Sequence, residues 1–265
     1  MVRIGCHVDQ HDPATAAADR GAEAVQILLG DPQSWAKPEP VFPGGAVALK
    51  AAVQAAGLAL YVHAPYVINV ASPNNRIRIP SRKLLQQTLT AAAEIGARGV
   101  VVHGGHVTKD TDPEVGFANW RKAVQGLDLA CPLFIENTAG GQYAMARQLT
   151  AIASLWESLD GYDIGFCLDT CHAFAAGEPL GTVVEKILAV TGRIDLVHAN
   201  DSQGGLGSGR DRHANLGGGL IEPGELAAAV RAAAAAGADF ICETPGDSKA
   251  QAADISWIRE QSAAG

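Results

Sequence analysis

The sequence predicts an α/β fold, a single (β/α)8 or TIM barrel spanning residues 1–265, with an active site at the C-terminal ends of its strands. Three observations carry that expectation. Short apolar runs alternate eight times with Ala-rich helical patterns. No linker, low-complexity tract or charge block divides the chain. Its 265 residues are close to the roughly 250 that such a barrel uses.

In chain order, the strands are expected near 2–8, 24–29, 59–63, 98–103, 132–136, 163–169, 194–198 and 239–243. Each is a brief apolar stretch such as "GVVV" or "PLFI", the pattern of a parallel strand covered on both faces. Helical periodicity fills the intervals near 13–20, 44–57, 81–96, 113–129, 143–160, 179–191 and 223–236, and a last helix is expected near 248–262. Gly- and Pro-rich stretches punctuate these elements. An open doubly wound sheet would need a glycine-rich phosphate turn after the first strand, and "GCHVDQHDP" offers none.

Composition narrows the class. Hydrophobic residues make up 48%, ample for one large core, and no apolar run approaches the roughly 20 residues of a membrane span. "MVRIGCHV" enters a strand directly, without the features of a signal peptide, so a cytoplasmic, membrane-free protein is expected. The five cysteines are odd in number and four lie in or beside apolar runs, which favours reduced packing residues. Cys167 and Cys171 lack the spacing of a usual zinc pair. The net charge of −8 argues superficially against nucleic acid, but three bound dications would bring it to about −2 and leave the cleft positive.

The informative feature is what ends the strands. His63, His103, Glu136, Asp169, His198 and Glu243 close six consecutive strands, and His172, Asp211 and His213 follow in adjoining loops. Barrel closure puts every strand's C-terminal end on one face, so residues spread over most of the chain become neighbours. His7 ends the first strand and is expected on the floor of the same site. Any one of these, alone, reads as an ordinary hydrogen-bonded strand-end residue. Together they form a metal site too large for one ion.

Five imidazoles and four carboxylates without a thiolate suit zinc, and manganese or iron less exclusively. Zinc that keeps an open position takes three protein ligands, so nine ligands suggest three ions. A carboxylate would bridge where one ligand is short, and Glu136 is the candidate because it has two oxygens. Such a pocket favours a phosphate, whose in-line displacement closely spaced metals promote. In "LDTCHAF", Asp169 and His172 flank a strand-to-helix turn; in "GRDRHANLG", Asp211 and His213 alternate around Arg212 and point the same way. That last pair also reads as a salt-bridged loop.

At this point the motifs carry a resemblance. "YVHAPYVIN", "VVHGGH", "FIENTAG", "CLDTCHAFAAG", "HANDS", "GSGRDRHANLG" and "ICET" resemble the successive motifs of endonuclease IV, a zinc-dependent apurinic/apyrimidinic endonuclease family of base excision repair. The resemblance runs from the first strand to the eighth and implies a grouping of ligands. His63, His103 and Glu136 would hold one zinc. Glu136, Asp169, His198 and Glu243 would hold a second, and His172, Asp211 and His213 a third. It also implies hydrolysis of duplex DNA on the 5′ side of an abasic site, with Glu243 and Glu136 as catalytic carboxylates. The products would be a 3′-hydroxyl and a 5′-deoxyribose phosphate, and removal of blocking groups from 3′ ends is implied as a second activity.

Lesion reading matches less completely. Tyr66 and Val67 fall on the family's inserting positions, with Val where Leu is often found, and Asn69 follows in the same loop. Gln33 stands where an arginine is common. Arg76, Arg78, Arg82, Lys83, Arg210 and Arg212 are the cationic candidates for phosphate contacts. A monomer without an obligate protein partner is expected. Two other readings remain open at this stage. A sugar isomerase or epimerase would use Glu136, Asp169, His198 and Glu243 but leave the other five ligands idle; a barrel that binds DNA or metal without catalysis would keep the ligands without turnover.

Overall fold

The computed structural model describes residues 2–263. Among these, eight parallel strands close into a barrel. They are β1 (Ile4–His7), β2 (Ala24–Leu28), β3 (Ala59–His63), β4 (Gly99–His103), β5 (Leu133–Glu136), β6 (Gly165–Asp169), β7 (Leu196–His198) and β10 (Asp239–Cys242). Their order around the barrel is β1-β10-β7-β6-β5-β4-β3-β2. The outer ring comprises α1 (Pro13–Ala18), α2 (Gly45–Ala55), α3 (Asn75–Glu94), α4 (Pro113–Val124), α5 (Leu149–Ser158), α7 (Leu180–Thr191), α8 (Pro223–Ala235) and α9 (Ser248–Ala263). No helix among the described residues is long and apolar enough to cross a membrane.

Two elements were not expected from the sequence. A short helix, α6 (Thr170–Ala176), follows β6 without a break, and a two-stranded antiparallel ribbon, β8 (Asp201–Ser202) and β9 (His213–Ala214), follows β7. Two expected helices have different starts. The helix expected from 81 begins at Asn75, where the Asn74 side chain caps the Arg76 N–H at 2.9 Å, and it accommodates Pro80 within its length. The helix expected from 143 begins at Leu149, because Ala144 is drawn into a bridge with His106.

Side chains of a strand alternate between its two faces, which here separates an outer core under the helices from a small inner one. Ala24, Ala59, Tyr61, Val101, Phe134, Cys167, Leu196 and Ile241 form the inner cluster. Gly99 and Gly165 give Phe134 its room: a Cβ on either would lie 2.3 Å or 2.4 Å from the Phe134 ring. One pleat further along the same inward faces come Gln26, His63, His103, Glu136, Asp169, His198 and Glu243. Period-two alternation thus sets a polar tier directly above a closed apolar plug. The register joins the tier laterally, pairing His103 with Glu136 and Asp169 with His198.

Candidate metal centre

All nine sequence-derived candidates converge at the mouth of the barrel. Glu136, 1% exposed, is the hub. Its Oε2 lies 3.2 Å from His63 Nε2 and 3.3 Å from His103 Nε2, while its Oε1 lies 3.0 Å from His198 Nδ1 and 3.3 Å from His172 Nδ1. Glu243, one residue beyond β10, brings Oε2 to 3.3 Å from His198 Nδ1. Asp211 and His213, the one just before β9 and the other on it, complete the outer part: Asp211 Oδ1 is 3.2 Å from both His172 Nε2 and His213 Nε2.

Local folding aims these groups. Asp169 ends β6 and caps α6, accepting the His172 N–H on Oδ1 at 2.7 Å and leaving Oδ2 toward the site, 3.6 Å from His213 Nε2. The Asn200 side chain donates Nδ2 to that same Oδ2 at 2.8 Å, and its Oδ1 accepts the Glu243 N–H at 2.8 Å. The buried Asp201 accepts backbone N–H groups of Ser202, Gly217, Gly219 and Ile221, gathering the loop that carries Asp211 and His213. His7 ends β1 behind these groups, with Nδ1 3.7 Å from Glu243 Oε1.

The donor atoms fall into groups that suit metal ions. His63, His103 and Glu136 form one; Glu136, Asp169, His198 and Glu243 a second; His172, Asp211 and His213 a third, the atoms within each lying within 4.8 Å of one another. Asp169, Cys171 and His213 also meet that distance, but burial pushes the Cys171 thiol up to about 12, which disfavours the thiolate that a metal would need.

Hydrogen-bond polarity tests the fit. The Nδ1 atoms of His63 and His172 face the carbonyl oxygens of Ala64 and Asn137 at 2.7 Å and 2.9 Å. A carbonyl only accepts, so each Nδ1 carries a hydrogen and each Nε2 can offer a lone pair. Those Nε2 atoms face carboxylate oxygens, which are lone pairs as well. Among the described residues the buried His172 Nε2 and His213 Nε2 have no hydrogen-bond partner, a costly state unless a cation or a proton lies between the facing groups.

Electrostatics point the same way. Burial opposes ionisation of Glu136, yet the imidazoles of His198 and His103 hold its carboxyl well below the usual range. Glu243 behaves likewise, burial being outweighed by His198 and other imidazoles, so that it falls to about 2. Asp211 is lowered by His172 and His213. In turn, burial disfavours the charged form of His213, but Asp211 and Asp169 raise it to about 9. Asp169 differs, since burial pushes its carboxyl up. This concentration of acidic groups draws in either protons or dications.

The expected DNA-reading residues are distributed differently. Tyr66 is 50% exposed on the rim. A cavity of about 430 Å³ opens beside it, lined by Trp35, Val67, Ile77, His103, His106 and Thr138 among others. Gln33, Arg76, Arg210 and Arg212 are exposed. Arg78 is half-buried and donates to the Ser72 and Pro73 carbonyls, and Arg82 donates to Asn119 O. Val67 is half-buried against the core. Asn69 is buried, and its carboxamide closes onto the His106 backbone, accepting at 3.1 Å and donating at 3.0 Å. These bonds shape the loop that carries Tyr66.

One participant was missed by the sequence reading. Gln26 on β2 is fully buried and touches Glu243, His198 and His7. A lone polar residue in the apolar run "AVQILL" gives no ligand signal, and only closure of β2 against β1 discloses its place.

Comparison with known proteins agrees with this architecture. Residues 14–261 match the family model described as xylose isomerase-like TIM barrel. The chain is 56% identical over 258 residues to "Probable endonuclease 4" of Mycobacterium tuberculosis (strain ATCC 25177 / H37Ra), covering 97% of this chain and 98% of that protein. The crystal structure of endonuclease IV from Thermus thermophilus superposes with a TM-score of 0.83 at 29% identity, covering 99% of this chain and 100% of the other. A D-tagatose 3-epimerase-like protein shares the fold, with a TM-score of 0.78 at 18% identity over 98% of this chain and 97% of that one. The chain therefore belongs to the endonuclease IV family of DNA-repair nucleases, built on the xylose isomerase-like TIM barrel.

Proposed function

We propose that this one-domain barrel is a metal-dependent apurinic/apyrimidinic endonuclease that hydrolyses duplex DNA 5′ to an abasic site. The products are a 3′-hydroxyl and a 5′-deoxyribose phosphate, and the same chemistry trims blocked 3′ ends. The observation that carries this reading is the set of three donor groups, two of them sharing Glu136, with two buried imidazole nitrogens left unpartnered. The assignment of His63, His103 and Glu136, of Glu136, Asp169, His198 and Glu243, and of His172, Asp211 and His213 to three ions follows these groups. Zinc suits the mixture of nitrogen and oxygen donors, and manganese or iron at one position is compatible with it.

Bound dications supply charge to neutralise the phosphate and to acidify an attacking water. The chain's own residues do the rest. Glu243, half-buried and ionised beside His198, is placed to accept the proton that the water loses. Glu136 holds both halves of the site in register through its two oxygens. Attack on phosphorus breaks the bond to the 3′ oxygen, which leaves and takes up a proton. Tyr66, at the rim beside His103, fills the gap left by the missing base. Exposed Arg76, Arg210 and Arg212 lie where they can meet phosphates as the acidic chain approaches DNA as a monomer.

Incision of an abasic duplex tests the reading. Activity is expected to vanish once metal is stripped and to return with zinc. Full incision by a preparation shown to be metal-free would end it. A metal content near one ion per chain, without incision, would favour the epimerase-like use of Glu136, Asp169, His198 and Glu243.

A further inference from the structure

We propose that Gln26 is a positioning residue of the metal centre, fixing which nitrogen of His198 and which oxygen of Glu243 remain free for a cation. This rests on the metal-centre reading above. Gln26 comes from β2, one of the two barrel strands that contribute none of the nine candidate ligands, and it is 0% exposed.

The polarity of its contacts leaves one solution. Gln26 Nε2 lies 2.7 Å from Glu243 Oε1, and an ionised carboxylate only accepts, so the nitrogen end of the amide faces it. The oxygen end then faces His198 Nε2 at 2.8 Å. An amide oxygen cannot donate, so His198 Nε2 carries the hydrogen. His198 Nδ1 therefore offers its lone pair toward Glu136 Oε1 at 3.0 Å and Glu243 Oε2 at 3.3 Å. Gln26 Nε2 also lies 3.1 Å from His7 Nδ1, which accepts its second hydrogen. Turning the amide over would set its oxygen against the Glu243 carboxylate oxygen at 2.7 Å, two acceptors with no hydrogen between them.

The backbone does the same work elsewhere in the site, where carbonyls of Ala64 and Asn137 orient His63 and His172. At His198 a side chain does it, so the lock can be removed by substitution. One amide orients two ligands of the second group. A partner that fixes the ring and accepts its remote N–H also strengthens the imidazole as a ligand.

Gln26→Met keeps length and burial but removes both polar ends. Zinc affinity is measured by competition with a chromophoric chelator, for wild type and variant. In parallel, long-range proton–nitrogen correlation spectra of zinc-loaded, ¹⁵N-histidine-labelled wild type report the His198 tautomer. The expected results are a fall of about 10–100-fold in affinity for one ion, and a wild-type His198 protonated on Nε2 and ligated through Nδ1. A buried amide with a merely structural role would lower the melting temperature and leave zinc affinity alone. Unchanged affinity in folded Gln26→Met overturns the proposal, as does a wild-type His198 protonated on Nδ1. If the variant does not fold, the wild-type spectrum decides. Wild type that binds no zinc defeats the metal-centre reading itself, an outcome distinct from zinc held equally well by both proteins.

Discussion

The Tyr66 ring stacks on His103, the centroids 5.8 Å apart and the planes 10° from parallel. The same tyrosine meets His63 edge-on at 5.1 Å. A rim residue exposed to any approaching duplex is thus braced by two imidazoles of the first donor group. Tyr66→Ala should therefore weaken binding to abasic DNA by about 1–3 kcal/mol if a stacking contact is lost, with a much smaller loss on undamaged duplex. Binding isotherms on matched duplexes measure it, and equal losses on both would assign Tyr66 to general packing. Tyr66→Phe retains the ring and should retain most of the discrimination.

In the proposed mechanism Glu243 serves both as proton acceptor and as metal ligand. Glu243→Gln preserves its shape, removes its charge and should lower single-turnover incision at least about 10²-fold, with abasic-DNA binding largely kept. Near-normal turnover would remove Glu243 from the chemistry. A loss confined to binding would make it a substrate-positioning group.

His213 separates a third ion from a loop salt bridge. Its Nε2 is buried without a partner and faces two carboxylates. His213→Ala should lower metal content, read by elemental analysis, by about one ion per chain and cripple cleavage, because the group has no spare ligand. Full metal content with full activity would restore the salt bridge.

Gln33 lies exposed in the loop between β2 and α2, its N–H held by Asp31 at 2.8 Å. Gln33→Arg places a cation there and should tighten abasic-DNA binding while steepening the slope of log affinity against log salt by about one. The absence of a gain at low salt would place this loop away from the DNA.

The barrel was legible because parallel strands have a strong apolar signature and because ligand types recur at their ends. Its closure was enough to bring His63 and Glu243, 180 positions apart, into one site. The misses have a common physical cause. Helix α6 is seven residues long and starts directly from β6, too short for periodicity to register; the Asp169 cap, not an apolar stripe, marks its start. The ribbon of β8 and β9 has two residues in each strand and depends on Asp201 gathering distant backbone groups. Gln26 and Asn69 matter through partners that only the tertiary fold supplies. An exposed position and a loop-closing one read identically in "YVIN", so the hydrogen bonds of Asn69 to the His106 backbone were not legible there.

Phe134, seated over Gly99 and Gly165, closes the barrel beneath the polar tier. The consequence is kinetic. With the floor plugged, ions must enter and leave through the mouth that substrate would cover, so a docked duplex acts as a stopper. Chelators should then strip the free protein much faster than the DNA-bound one, and metal exchange should keep pace with product release.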